Sequence, residues 1–113
     1  MSKITTHVLD VSQGRPAPNV AIRLESQSTD GSWMELGHGA TDNDGRLKDL
    51  TAEKNLPPGI YRLSFDTGSY FAKRQLESLY PQITIQFEVK PGQEHYHIPL
   101  LLSPFGYSTY RGS

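Results

Sequence analysis

The stretch His95-Tyr-His-Ile-Pro-Leu-Leu-Leu-Ser-Pro-Phe-Gly-Tyr-Ser-Thr-Tyr-Arg-Gly-Ser113 decides the fold. It holds two strand-like runs, His95–Leu102 and Phe105–Arg111, joined by a turn at Ser103-Pro104. Side chains alternate across a strand, so residues i and i+2 share a face. Tyr96, Ile98, Leu100 and Leu102 form the more apolar set and are expected to face a core. His95, His97, Pro99 and Leu101 then face outward, to solvent or to another subunit. A fraying polar end is the default for a small domain; this one is patterned either to be woven into a sheet or to line a site.

The same punctuation runs through the rest of the chain. Turn signals fall at Gly14–Pro18, Thr29–Ser32, Asp42–Gly45, Leu56–Gly59 and Lys90–Gln93. Between them lie short alternating segments: Ile4–Val11, Val20–Gln27, Trp33–Ala40, Ile60–Asp66 and Ile83–Val89. Such spacing predicts an all-β sandwich or barrel. One segment, Gly68–Tyr80, breaks the alternation with Tyr70, Phe71, Leu76 and Leu79 and is stopped by Pro81, which predicts a short helix. With no repeat and no linker, residues 1–113 are expected to form a single domain.

Composition excludes several functions. The chain has no cysteine, so thiol chemistry, disulfides and zinc–thiolate sites are out. Its 11 basic and 12 acidic residues are mixed along the chain, giving a net charge of -1 and no nucleic-acid or membrane-surface footprint. The N-terminus lacks an apolar signal core, no run approaches a membrane span, and no Ser-Lys-Leu ends the chain. A soluble, cytoplasmic protein is the expectation.

Local motifs alone are bland. Asp42-Asn-Asp-Gly45 lacks the downstream acidic ligand of a calcium loop and reads as a hairpin turn. Ser108 has neither the second glycine nor the context of a nucleophile elbow. His95 and His97 at i, i+2 could ligate zinc, but no third ligand lies nearby, so no metal site is expected. His7 sits in the first strand with Thr5 and Leu9 on one face and Thr6, Val8 and Asp10 on the other, and parity does not say which is inward. Arg46 follows the Asp-Gly turn on a loop edge or very short strand, where a solvated arginine is the ordinary case.

Together these pieces make a recognisable set. His7-Val-Leu-Asp10, Gly14-Arg-Pro-Ala17, Thr41-Asp-Asn-Asp-Gly-Arg46, His95–Pro104 and the terminal Tyr110-Arg-Gly-Ser113 resemble the 5-hydroxyisourate hydrolases, the transthyretin-related enzymes of purine degradation. The resemblance covers essentially the whole chain. It implies a two-sheet, transthyretin-like β-sandwich with one short helix. It also implies a homotetramer, a dimer of dimers, with sites in a channel where the dimers meet. The implied reaction is hydrolysis of 5-hydroxyisourate to 2-oxo-4-hydroxy-4-carboxy-5-ureidoimidazoline, with no cofactor. Carried onto this sequence, His7, Arg46 and His97 are the implied catalytic residues, and His7, Arg46, Tyr110, Arg111, Gly112 and Ser113 the implied substrate-binding ones; His95 is not among them. An imidazole can take a proton from water near neutral pH, and a guanidinium suits a flat heterocycle and a developing oxyanion. Either His97 or His7 could be the base. A non-catalytic transthyretin-like carrier and a purely structural sandwich module are the competing readings. A carrier channel needs apolar complementarity more than acid–base groups.

Overall fold

The computed structural model describes residues 3–51 and 56–113. Among these residues, nine strands and one helix follow in the order β1 (Lys3–Asp10), β2 (Arg15–Pro16), β3 (Ala21–Gln27), β4 (Trp33–Ala40), β5 (Arg46–Leu47), β6 (Gly59–Phe65), α1 (Thr67–Lys73), β7 (Ile83–Val89), β8 (His95–Ser103) and β9 (Gly106–Thr109). They form two sheets. One runs β2-β1-β8-β9 with β5 also paired to β1, and the other runs β4-β3-β6-β7. The core lies between them: Ile4 and Val8 of β1 and Leu100 and Leu102 of β8 oppose Ile22 and Leu24 of β3 and Leu63 and Phe65 of β6, all at most 2% exposed. Each such side chain contributes roughly 1.5–3 kcal/mol by leaving water.

The parity expected of the C-terminal stretch holds for Tyr96, Ile98, Leu100 and Leu102, which are buried. His95 is exposed, and His97 and Leu101 are half-buried. Pro99 departs from the expectation. It is buried although it shares the outward face, because β1 lies beside it at His7 and β9 covers its other flank, where the Thr109 hydroxyl donates to the Pro99 carbonyl at 2.7 Å. The inward face of β1 is also settled. Ile4, Thr6, Val8 and Asp10 are buried, while Thr5, His7 and Leu9 look outward.

Two local expectations are corrected. The Asp42–Gly45 turn is not a hairpin, since its flanking strands belong to different sheets: β4 pairs with β3, and β5 pairs with β1. It is a tight crossover, closed by the Gly45 N–H donating to the Asp42 carbonyl at 2.9 Å. The helix is shorter than Gly68–Tyr80. It starts at an Asp66 cap, whose carboxylate accepts from the Ser69 N–H at 3.2 Å, and ends after Lys73. Gln75 adopts φ 60°, with its N–H on the Ala72 carbonyl and the Leu76 N–H on the Phe71 carbonyl. That pairing is a Schellman stop built without the usual glycine, so the sequence does not announce it. Leu76 and Leu79, read as the helix's apolar face, are 44% and 59% exposed. What docks the helix is Tyr70, whose hydroxyl donates to the buried Asp10 carboxylate at 2.7 Å. Burial and that bond push the Tyr70 phenol up to about 12.

Candidate active site

One pairing in the first sheet is parallel: β1 against β8, with Thr5 opposite His97 and His7 opposite Pro99. It joins residues some 90 positions apart, and because both strands turn these residues outward, Thr5, His7, His95 and His97 share one face. On the other flank of β1, Arg46 of β5 pairs with His7. A cavity of about 260 Å³ opens on this face, lined by Thr5, Thr6, Arg46, Leu47, Lys48, His95, His97 and Ser113. No carboxylate side chain lines it.

The turn that delivers Arg46 is built around Asp42. Its carboxylate accepts from the backbone N–H groups of Asp44 at 2.9 Å and of Arg46 at 3.0 Å. The Arg46 N–H, followed by that of Asp44, holds the Asp42 carboxyl below its usual range. Gly45 has φ 76°, and a Cβ there would drive into the Val8 carbonyl. Only glycine lets the turn lie so close to β1. The same turn fixes His7, since the Asp44 carbonyl lies 2.7 Å from His7 Nε2. A carbonyl only accepts, so Nε2 carries the proton and Nδ1 of neutral His7 is left as an acceptor.

His97 is held from three sides. Its Nδ1 lies 2.8 Å from the Thr5 hydroxyl, and that oxygen is also 2.9 Å from His95 Nε2. Its backbone carbonyl accepts from the Gly112 N–H at 2.7 Å. Gly112 also lies against its ring: a Cβ there would come within 2.5 Å of His97 Cδ2. Nε2 has no hydrogen-bond partner among the described residues. Burial lowers the His97 pKa below the ordinary imidazole value, and His95, Arg46 and His7 push in the same direction by opposing a further positive charge. The ring is therefore neutral at physiological pH and can accept a proton.

The structure brings His7, Arg46, His97, Gly112 and Ser113 onto one face and takes Tyr110 and Arg111 elsewhere. Arg111 lies over the Tyr96 ring at 4.3 Å and donates to Gln93 and to the His95 carbonyl. Both residues line a separate, more apolar groove of about 300 Å³ with Ile85, Phe87 and Ile98. Conversely, Thr5 and Lys48 line the cavity without having been singled out. Thr5 was within reach of strand parity, since it shares a face with His7; Lys48 carried no signal of its own.

The fold and this face together describe a two-sheet β-sandwich that bears imidazoles and a guanidinium on one outer face. The chain belongs to the HIUase/Transthyretin family, whose model matches residues 4–112. It is 49% identical over 110 residues to the 5-hydroxyisourate hydrolase of Salmonella dublin, a match covering 97% of this chain and 80% of that one. The 5-hydroxyisourate hydrolase of Klebsiella pneumoniae has a similar structure, with a TM-score of 0.88, 37% identity and full coverage of both chains. Transthyretin from Sparus aurata superposes with a TM-score of 0.92 at 33% identity, over 99% of this chain and 97% of that one. Fold likeness thus reaches both branches of the family, and the residues of the site must separate them.

Proposed function

We propose that this chain hydrolyses 5-hydroxyisourate in urate degradation, opening the six-membered ring to 2-oxo-4-hydroxy-4-carboxy-5-ureidoimidazoline. One observation carries the reading: a half-buried imidazole, His97, is held neutral with Nε2 unengaged among the described residues, in a cavity shared with Arg46 and lined by no carboxylate side chain. A carrier has no use for a poised base beside a guanidinium. The match to relatives named as 5-hydroxyisourate hydrolases supports the same substrate.

The chemistry follows from those groups. His97 Nε2 takes a proton from water as the oxygen attacks the ring carbonyl. Arg46 orients the flat heterocycle and stabilises charge developing on the carbonyl oxygen, a kind of contribution worth about 10²–10³ in rate. The imidazolium then returns its proton to the departing ring nitrogen, so no proton is left over. His7, with Nδ1 free to accept, binds a substrate N–H. Gly112 holds His97 in place, and Ser113 closes one wall. Tyr110 and Arg111 reach a site only if another subunit brings them there. We therefore place the active form in a homotetramer, with the outer faces of β1 and β8 opposed across the dimer–dimer contact.

The test is to generate 5-hydroxyisourate in situ from urate and urate oxidase and follow its ultraviolet decay. Decay faster than the spontaneous rate is expected with the protein present. An unchanged rate, from a protein that instead binds an aromatic ligand on this face, would leave the carrier reading.

A further inference from the structure

The Thr5 hydroxyl stands between two imidazoles, 2.8 Å from His97 Nδ1 and 2.9 Å from His95 Nε2. A hydroxyl has a single proton to donate. It also carries two acceptor lone pairs, so it can accept from both rings but donate to only one; the two ring nitrogens that face it cannot both be bare, and the tautomers are coupled to that extent. If Thr5 donates to His95, it accepts from His97, whose proton is then on Nδ1 and whose Nε2 is bare. If Thr5 donates to His97, His95 must be the donor, and the His97 proton sits on Nε2.

His97 acts as a base toward the cavity only when Thr5 does not donate to it, and a Thr5 proton committed to His95 Nε2 enforces that. We propose that Thr5 and His95 form a one-proton relay that biases the tautomer of His97 toward Nδ1–H, making them positioning residues for the base. The proposal rests on the hydrolase reading for its consequence in rate, but the relay itself is a property of the three side chains.

The placement suits such a device. Thr5 and His97 are register partners in the parallel β1–β8 pair, so the hydroxyl is aimed by the sheet and not by a mobile loop. The rings are tilted 32° to one another with centroids 6.3 Å apart, a gap the hydroxyl bridges. His95 is exposed while Thr5 and His97 are half-buried, so the relay runs from solvent inward. Other charged groups bear on it: Lys3 pairs with His95 on β1, Arg111 donates to the His95 carbonyl, and Arg46, Lys48 and His7 lie around His97. None of these side chains is a carboxylate, and among the described residues the Thr5 hydroxyl oxygen meets no side chain but the two imidazoles.

The experiment is a long-range ¹H–¹⁵N correlation of the imidazoles in the full chain, run alongside kcat/KM on 5-hydroxyisourate. Wild-type His97 is expected as the Nδ1–H tautomer. Thr5→Val should give a mixture of tautomers, and Thr5→Ser should restore the wild-type pattern. His95→Ala, which removes the acceptor of the Thr5 proton, should let the Nε2–H tautomer of His97 appear. In rate, Thr5→Val should lose about tenfold or more, part of what a positioned base contributes, chiefly in kcat, and Thr5→Ser should recover it. The same His97 tautomer in wild type and Thr5→Val, or an Nε2–H tautomer in wild type at every pH, would overturn the relay whatever the rates do. A Thr5-dependent His97 tautomer in a protein that does not hydrolyse 5-hydroxyisourate would uphold the relay and refute only the hydrolase reading.

Discussion

The outer faces of the two sheets make an instructive pair. The face of β3, β4 and β6 carries the larger hollow, about 520 Å³ lined by Arg23, Glu35, His38, Ser64, Asp66 and Gln82 among others. Its charges are largely spent on one another. Glu25 takes Arg62 at 2.8 Å and Arg23 at 3.7 Å, Arg62 also lies over Trp33 at 4.0 Å, and His38 meets Glu35 at 3.1 Å. The Arg62 hydrogen bond holds the Glu25 carboxyl below its usual range despite its burial. The β1–β8 face has half the volume, but its cavity walls carry Arg46, Lys48, His95 and His97 and no carboxylate side chain. On the reading proposed above, it is the smaller hollow, with a cation next to an uncharged base, that carries the chemistry.

That contrast can be broken by substitution. Arg46→Ala should have the largest effect, lowering kcat/KM for 5-hydroxyisourate by about a hundredfold or more, with Arg46→Lys recovering only part because it lacks the planar fork. Gly112→Ala should come next. Its Cβ would displace the His97 ring, and a shift of the order of 1 Å costs roughly ten- to a hundredfold, while the melting temperature changes little. Steady-state decay rates and thermal melts check both.

A pH titration sharpens the same contrast without mutation. Because the folded His97 pKa lies below the ordinary value of about 6.5, its ring should remain uncharged at pH values where an unperturbed imidazole has titrated. In that window the unfolded chain binds the extra proton, so stability from this group is complete above the unfolded pKa and lost as pH falls through the folded one. Histidine ring shifts followed by NMR would show it, and a His97 titrating at or above the usual value would count against the site's electrostatics. On the opposite sheet Glu25→Gln should cost about 1 kcal/mol of stability, as a partly shielded ion pair does, and leave turnover unchanged.

Much of this was legible in the residues. Alternation gave the strand runs, with β4 and β7 matching to the residue, and the parity of His95–Leu102 correctly sent His97 outward. The rest depended on pairings that local patterns do not encode. Nothing in Thr5 or His7 alone says that β1 lies parallel to β8, and it is that pairing which gathers the histidines. The helix was drawn too long because Gln75 supplies a stop that glycine usually signals. Tyr110 and Arg111 were grouped with Gly112 and Ser113 as one motif, yet Tyr110 and Arg111 line one groove and Ser113 another, while Gly112 bridges to His97 between them.

The most direct test takes one histidine from each face. His97→Asn and His38→Asn remove comparable imidazoles, the first half-buried beside Arg46 and the second 74% exposed beside Glu35. In the 5-hydroxyisourate decay assay, His97→Asn should lose about 10²-fold or more while His38→Asn keeps the wild-type rate. Equal rates for the two variants would contradict the assignment of catalysis to the β1–β8 face.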